Sequence, residues 1–341
     1  MRFGLFGGPV VPEGASERDV YEEYVAYAIE AEKLGFDGIF LTEHHFTGLG
    51  QTSSPLTLLT FIAARTSSIR LGTAVAVLPW YNPITLAETA ATLDLLSDGR
   101  LDFGVGRGFR AKEFEGFGID MGEAEDRYEE ALDVILKSWR TEGRWSHAGE
   151  RWRYENVLVE PETEQRPHPP IWMAAGSPPG LRTAAERDFK LLLDQVGDFK
   201  TTGERISCYR ERRQELGRPY APTDVAVARS LHIVDSAAER RAAIEQRAEV
   251  YARISALANT KSGPQNRMAA AMAADAEKST EEGAIIGDPA ECIERVERLR
   301  EEGAGYLLLN DIHNSAETLR RFAAEVMPHV QSQPALAGDG R

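Results

Sequence analysis

The chain reads as an α/β protein forming one closed (β/α)8 barrel, a TIM barrel, with an inserted hairpin and a mobile lid segment. Three observations predict it. Short apolar runs recur without the polar alternation of a half-exposed sheet, the pattern of parallel strands covered on both faces. Segments with helical spacing separate them, which makes strand–helix–strand units with right-handed crossovers. No Gly-x-Gly-x-x-Gly motif follows the first strand, which argues for a barrel over a dinucleotide-binding sheet.

The elements follow in order. Residues 2–6 are a buried strand. Ser16 caps a helix whose Val20, Tyr24, Tyr27, Ala28 and Ala31 recur at helical spacing up to Gly35. The next strand is 38–41, followed by a helix over 55–65, a strand over 69–77, a helix over 85–96 and a strand over 101–105. Four such units fill the first 140 residues. Residues 144–161 break the rhythm: Trp145, Trp152, Tyr154 and Val157 in a polar–apolar alternation predict an inserted hairpin. Strands resume at 171–175, 189–193, 224–234 and 306–309, with helices over 181–186, 203–216 and 237–254 and from Ser315 to about 330. Asp288-Pro289-Ala290-Glu291 is a helix start: Asp at the cap, Pro at the first position, Glu at the third. Residues 257–283, rich in Ala, Met, Asn, Lys and Ser without a clean apolar face, read as a mobile excursion, partly helical in its middle over 267–278. The barrel domain spans 1–330, and the Ala/Gly/Pro-rich residues 331–341 form a flexible tail.

Composition narrows the function classes. Of 341 residues, 42% are hydrophobic and 27% charged, ordinary for a globular protein large enough to bury a core without disulfides. The net charge of −15 disfavours nucleic acid and anionic membranes as partners, so an anionic cofactor needs a local positive pocket. Cys208 and Cys292 are the only cysteines, which makes neither a disulfide framework nor a zinc set and fits a reducing compartment. No signal peptide and no apolar run of membrane-spanning length is read, so the expected location is the cytoplasm.

In a parallel barrel, chemistry collects at the carboxyl ends of the strands. After the second strand stand Glu43-His44-His45-Phe46, a carboxylate and two imidazoles at a catalytic face. Metal ligation is a poor role for them. Adjacent residues of an extended chain point to opposite sides, and the other histidines, 147, 168, 232, 313 and 329, are scattered. No Gly-x-Ser-x-Gly elbow supports a serine nucleophile. After the third strand, Gly72-Thr73-Ala74-Val75-Ala76-Val77 is small enough for a flat ligand to lie against backbone, or simply for tight barrel packing. After the fourth, Gly104-Val105-Gly106-Arg107-Gly108-Phe109 sets a permanent positive charge among glycines, for a phosphate or an anionic ring. After the fifth, Gly176-Ser177-Pro178-Pro179-Gly180 opens a helix whose N-terminal N–H groups suit an anion.

Together these motifs resemble the bacterial-luciferase-like monooxygenase family, over residues 2 to about 330. The resemblance rests on Gly35-Phe36-Asp37 leading into Leu41-Thr42-Glu43-His44-His45-Phe46, and on Gly72-Thr73-Ala74-Val75. It rests also on Leu95-Leu96-Ser97-Asp98-Gly99-Arg100-Leu101 leading into Gly106-Arg107-Gly108. Phe114-Glu115-Gly116-Phe117-Gly118 and Ala184-Ala185-Glu186-Arg187 add to it. The Glu-His-His-Phe run is most similar to the luciferase α-subunit, alkanal monooxygenase-like branch, which uses FMN; another branch uses coenzyme F420.

The resemblance implies roles residue by residue. His44 is the acid/base and hydrogen-bond partner near flavin C4a, with Glu43 and His45 beside it and Glu113 an acidic neighbour of the active site. Ala74 and Val75 are joined by a non-prolyl cis peptide beneath the isoalloxazine. Arg107 holds the FMN phosphate, Gly176 and Ser177 complete that phosphate site, and Leu193 flanks the ring. Phe6, Phe46, Phe109 and Trp80 are apolar walls of the substrate pocket, Trp80 being equally suited to the core. The chain also departs from luciferase. Gly106 stands in place of a reactive cysteine and is expected to leave more room at the flavin; Asn82 replaces a histidine; Ala175 and Pro178-Pro179 thin the phosphate loop. These changes put a long-chain aldehyde substrate and light emission in question.

The implied activity is that of a two-component monooxygenase. A separate flavin reductase supplies reduced FMN, since no nicotinamide site is found, and oxygen adds at C4a to give a hydroperoxide. By the same resemblance residues 257–283 are a mobile lid, which keeps water from that intermediate, and His44, with an ordinary pKa of about 6.5, exchanges a proton near neutral pH. Attack on a carbonyl and hydroxylation of an electron-rich carbon both stay open. Two alternatives are an F420-dependent hydride-transfer enzyme on the same fold and a non-catalytic flavin-binding protein; an intact His44, Arg107 and lid stand against the latter. The assembly expected is a homodimer.

Overall fold

In the computed structural model, which describes residues 1–49, 51–260, 263–264 and 276–331, eight parallel strands close in chain order. They are β1 (Arg2–Gly7), β2 (Gly38–Leu41), β3 (Arg70–Thr73), β4 (Leu101–Gly106), β5 (Ile171–Ala174), β6 (Lys190–Leu193), β7 (Val225–Ile233) and β8 (Tyr306–Asn310). β8 pairs with both β7 and β1, which leaves no barrel edge open. The helices are α1 (Glu17–Lys33), α2 (Pro55–Ala63), α3 (Pro83–Leu96), α4 (Ala111–Phe117), α5 (Ala124–Arg140), α6 (Pro178–Glu186), α7 (Phe199–Glu215) and α8 (Ala237–Ala258), then α9 (Ala276–Gly283), α10 (Pro289–Glu301), α11 (Ala316–Glu325) and α12 (Met327–Gln331).

Strand parity sorts the core into two layers. Leu5, Ile39, Leu71, Phe103, Leu191, Val227 and Leu307 pack outward against the helices. Phe40, Trp172, Leu192, Ala226, Ala228, Tyr306 and Leu308 fill the lumen. At its base Phe40, Trp172 and Tyr306 meet edge to face, with centroids 5.7–5.9 Å apart. Gly72 makes room for them: a Cβ there would fall 2.3 Å from the Phe40 ring. At the top, Phe6, Ala74 and Val75 are only half-buried, so the lumen opens upward onto a small apolar floor.

The expected hairpin is present, Trp145–Ala148 pairing antiparallel with Arg153–Val157. The Asp288 capping box forms with both of its bonds. Several boundaries differ. The run 69–77 is not one strand: it breaks after Thr73, and Ala76–Val77 pairs separately with β4. α3 begins two residues before the expected 85, because Asn82 Oδ1 accepts from the N–H groups of Ile84 and Thr85. α7 begins four residues before the expected 203, where Asp198 caps it. Ile285–Gly287 forms an unexpected short strand alongside the end of β7. Of the expected lid, Asn259–Thr260 pairs with Gly263–Pro264 and α9 covers its last residues; most of the expected helix 267–278 lies outside the described residues. The tail expected over 331–341 also lies outside them, apart from Gln331 at the end of α12. No helix of the described residues is long and apolar enough to cross a membrane.

Candidate active site

The chain leaving β2 is held at both sides, Thr42 N–H donating to Gly7 O and His44 N–H to Thr52 O at 2.9 Å. Glu43 turns inward and is 1% exposed, so it needs partners. It has three: Val77 N–H at 3.0 Å, Tyr81 O–H at 2.6 Å and His45 Nε2 at 3.0 Å. His44 turns the other way, its Nδ1 3.0 Å from Glu113 Oε1 on α4. The same Glu113 oxygen accepts the His45 backbone N–H at 3.0 Å and lies 3.8 Å from the buried Arg110 guanidinium. The four expected residues are therefore brought together, but as two separate imidazole–carboxylate pairs. Glu43–His45 ties the loop to the chain following β3. Glu113 orients His44: a carboxylate there assigns the proton to Nδ1 and leaves the Nε2 lone pair without a partner among the described residues.

Burial is the largest influence on His44, and the Arg110 guanidinium adds to it; Glu113 opposes both, leaving the imidazole pulled down to about 4. This corrects the expectation of an ordinary value near 6.5. In the protein as it stands His44 is a neutral base, not a group half-protonated at neutral pH.

Beside this pair, the Ala74–Val75 peptide is cis, as the resemblance implies. The break in pairing around it is bridged by Thr73, whose hydroxyl donates to Gly104 O at 2.7 Å and accepts from Gly104 N–H at 2.9 Å. Gly104 cannot carry a side chain, since a Cβ would fall 1.8 Å from Thr73 O. Gly106 is also filled from across: a Cβ there would fall 2.4 Å from Val75 Cγ2. The extra room expected at Gly106 is thus taken by Val75. The half-open floor of Phe6, Ala74 and Val75, with backbone rather than side chains along the end of β4, fits a flat ring system.

The positive pocket is less free than expected. Arg107 is exposed but donates to Glu125 Oε2 at 2.7 Å, so an anion there shares it or displaces Glu125. Gly176 and Ser177 are exposed at the start of α6, where the Ser177 hydroxyl already caps Gly180 N–H. Beside Gly176 lies Arg205, 3.4 Å from where a Cβ would sit and itself paired to Asp194 at 2.9 Å. Leu193 is not at the ring position: it packs outward, and Leu192 is the lumen residue. Phe109 packs on Val196, Tyr251 and Ile254 under α8. Phe46 and Trp80 belong to one aromatic cluster with His45 and Phe117, Trp80 stacking on Phe117 at 5.2 Å. Sequence reasoning missed Tyr81, Arg110, Arg205 and Leu192. The first three make contacts no local pattern announces; for Leu192, the lumen parity of a strand end would have served.

Comparison with known proteins identifies the family. The family model of luciferase-like monooxygenases matches residues 1–305. An uncharacterized protein, y4vJ, of Sinorhizobium fredii is 32% identical over 225 residues, 66% of this chain and 64% of that protein. The chain thus matches slightly under two thirds of the length of that relative. The oxygenase component of a flavin-dependent trigonelline monooxygenase of Acinetobacter baylyi is 30% identical over 254 residues, 72% of this chain and 69% of that protein. Among solved structures, monooxygenase RslO1 of Streptomyces bottropensis superposes with a TM-score of 0.83 at 29% identity, covering 96% of this chain and 99% of that one. With the closed barrel, the match of the family model over residues 1–305 shows that the chain belongs to the luciferase-like monooxygenase family.

Proposed function

We propose that this chain is the oxygenase component of a two-component system, taking reduced FMN from a separate flavin reductase and using O2 to oxygenate a small organic substrate. The observation that carries the reading is the His44–Glu113 pair at the rim of an apolar floor edged by Ala74–Val75. Bound reduced flavin supplies the activation of oxygen. His44 Nε2 accepts and returns a proton beside the ring, and Glu113 fixes its tautomer. Glu43, His45 and Tyr81 brace the loop. Ala74, Val75, Phe6 and Leu192 seat the ring; Arg107, Gly176 and Ser177, with Arg205, receive the phosphate. Phe109 and the Phe46–Trp80 cluster wall the pocket. The assembly is a homodimer in the cytoplasm, paired through the charge-poor outer faces of α2 and α3.

The test is a substrate screen with FMN, NADH and a flavin reductase, scored for oxygen-dependent product, with reduced F420 in parallel. His44→Ala should lower product formation about 100-fold or more while FMN still binds. Unchanged turnover of every accepted substrate in His44→Ala would falsify the assignment. Anaerobic product with F420 in place of FMN would make the chain a hydride-transfer enzyme instead.

A further inference from the structure

A second polar group sits at the mouth, three strands around the barrel from β2. Ala226 and Ala228 of β7 face the lumen, and the same parity brings Ser230 and His232 to the rim. The Ser230 hydroxyl and His232 Nε2 are buried without a hydrogen-bond partner among the described residues. Near enough to act on His232 is Arg247 of α8, 1% exposed. Its Nη2 donates to Asn310 O at 3.1 Å and Oδ1 at 2.8 Å, and its Nε–H has no partner among the described residues. Asn310 is the register partner of Ser230 and donates to Phe6 O at 2.8 Å, which ties the group to the apolar floor.

No carboxylate of the described residues forms an ion pair with Arg247; Asp311 and Tyr251 only lend it partial compensation. Asp311 spends its oxygens on the N–H groups of His313 and Ser315. A buried guanidinium without a counter-charge, beside two further unpaired polar atoms, is costly unless something completes it. Burial, with Arg247 and His313 adding to it, keeps His232 neutral, and its Nε2–H tautomer can donate.

We infer that Arg247, His232 and Ser230 form the pocket for a carboxylate carried by the substrate, with the reacting carbon directed across the floor toward His44. This rests on the flavin-monooxygenase reading and narrows its substrate to small organic acids. A carboxylate accepts from Arg247 Nε–H on one oxygen and from Ser230 and His232 on the other.

The experiment is calorimetric titration of the protein, with and without FMN, using acetate, benzoate and decanoate against their amides. At least one carboxylate should saturate and bind tenfold or more tightly than its amide. Arg247→Met should abolish that preference and Arg247→Lys restore part of it, while the FMN dissociation constant moves less than twofold. Ser230→Ala, which removes only an unpaired hydroxyl, should reduce the preference at least threefold and carries the test should Arg247→Met not fold. Saturation by no carboxylate, equal binding of an amide, or a preference that survives in the variants overturns the proposal. So does an equal loss of FMN affinity, which would assign the group to the flavin edge. Failure of FMN to bind the wild-type protein strikes the flavin reading instead, and the FMN-free titration separates the two.

Discussion

Burial and the Arg110 guanidinium act on His44 in one direction, and Glu113 opposes them without winning. The folded value of about 4 lies below the ordinary 6.5, so the unfolded chain takes up the proton first as pH falls. Stability from His44 is therefore complete above about 6.5 and is lost as pH falls toward 4, about 3 kcal/mol in all. His232, pushed down to about 3 mainly by burial, extends the loss in the same sense. The melting temperature should be flat above neutrality and fall between about pH 6.5 and 3, with a shallower fall in His44→Gln. An acid limb unaltered by that substitution would remove His44 as its source. Glu125 supports a second expectation. It is an exposed carboxylate on Arg107, the cation proposed to receive the phosphate, and such pairs contribute less than about 1 kcal/mol. Glu125→Gln should tighten FMN two- to fivefold in a fluorescence titration; weaker binding would show Glu125 to be a support for Arg107 instead. At this scale the sequence was legible where chemistry is contiguous: Glu43, His44 and His45 are neighbours at a strand end. Glu113 entered only through family resemblance. Arg110 and Tyr81 could not be read at all, because what makes them matter is a distance across loops.

Between β3 and β4 the pairing changes register. Gly72 opposes Asp102 and Ala76 opposes Val105, four residues against three, and the extra residue is absorbed around the Ala74–Val75 peptide. The apolar run 69–77 continues through this break, so hydrophobic patterning alone extends one strand across it. The same blindness explains Leu193. Lys190-Leu191-Leu192-Leu193 has no alternation to say which leucine faces the lumen, and only the closed barrel decides. The two sides of the junction are fitted to one another through Val75 and Gly106. Gly106→Ala should cost about 1–3 kcal/mol in denaturant unfolding by overpacking. Val75→Ala vacates the space, so the double variant should be more stable than the sum of the single effects by about 0.5 kcal/mol or more. Strict additivity would mean that the two side chains do not compete for one site.

Closure of the barrel and its helical jacket was legible, because the strands are built on short apolar runs and each connection between them contains a helix. What the single chain leaves over lies on its outside. α2, Pro-Leu-Thr-Leu-Leu-Thr-Phe-Ile-Ala, has no charged residue, although the molecule carries a net −15. Phe61 on α2 is 49% exposed and Leu96 at the end of α3 is 64% exposed, with exposed Thr57, Thr85, Thr89 and Thr92 on the two helices and Glu88 of α3 half-buried. Two copies of so acidic a chain repel one another over most orientations. A face poor in carboxylates is where that repulsion is smallest and where buried apolar area is gained, at roughly 25 cal/mol per Å2. A symmetric dimer places the same patch on both partners, so each substitution acts twice. Sedimentation velocity should therefore show a dimer at micromolar concentration. Phe61→Glu with Leu96→Glu, which sets four carboxylates in the contact, should raise the dissociation constant at least 100-fold and leave FMN affinity within twofold. A wild-type chain that sediments as a monomer at tens of micromolar, or a charged variant that stays dimeric, would move the partner surface away from α2 and α3.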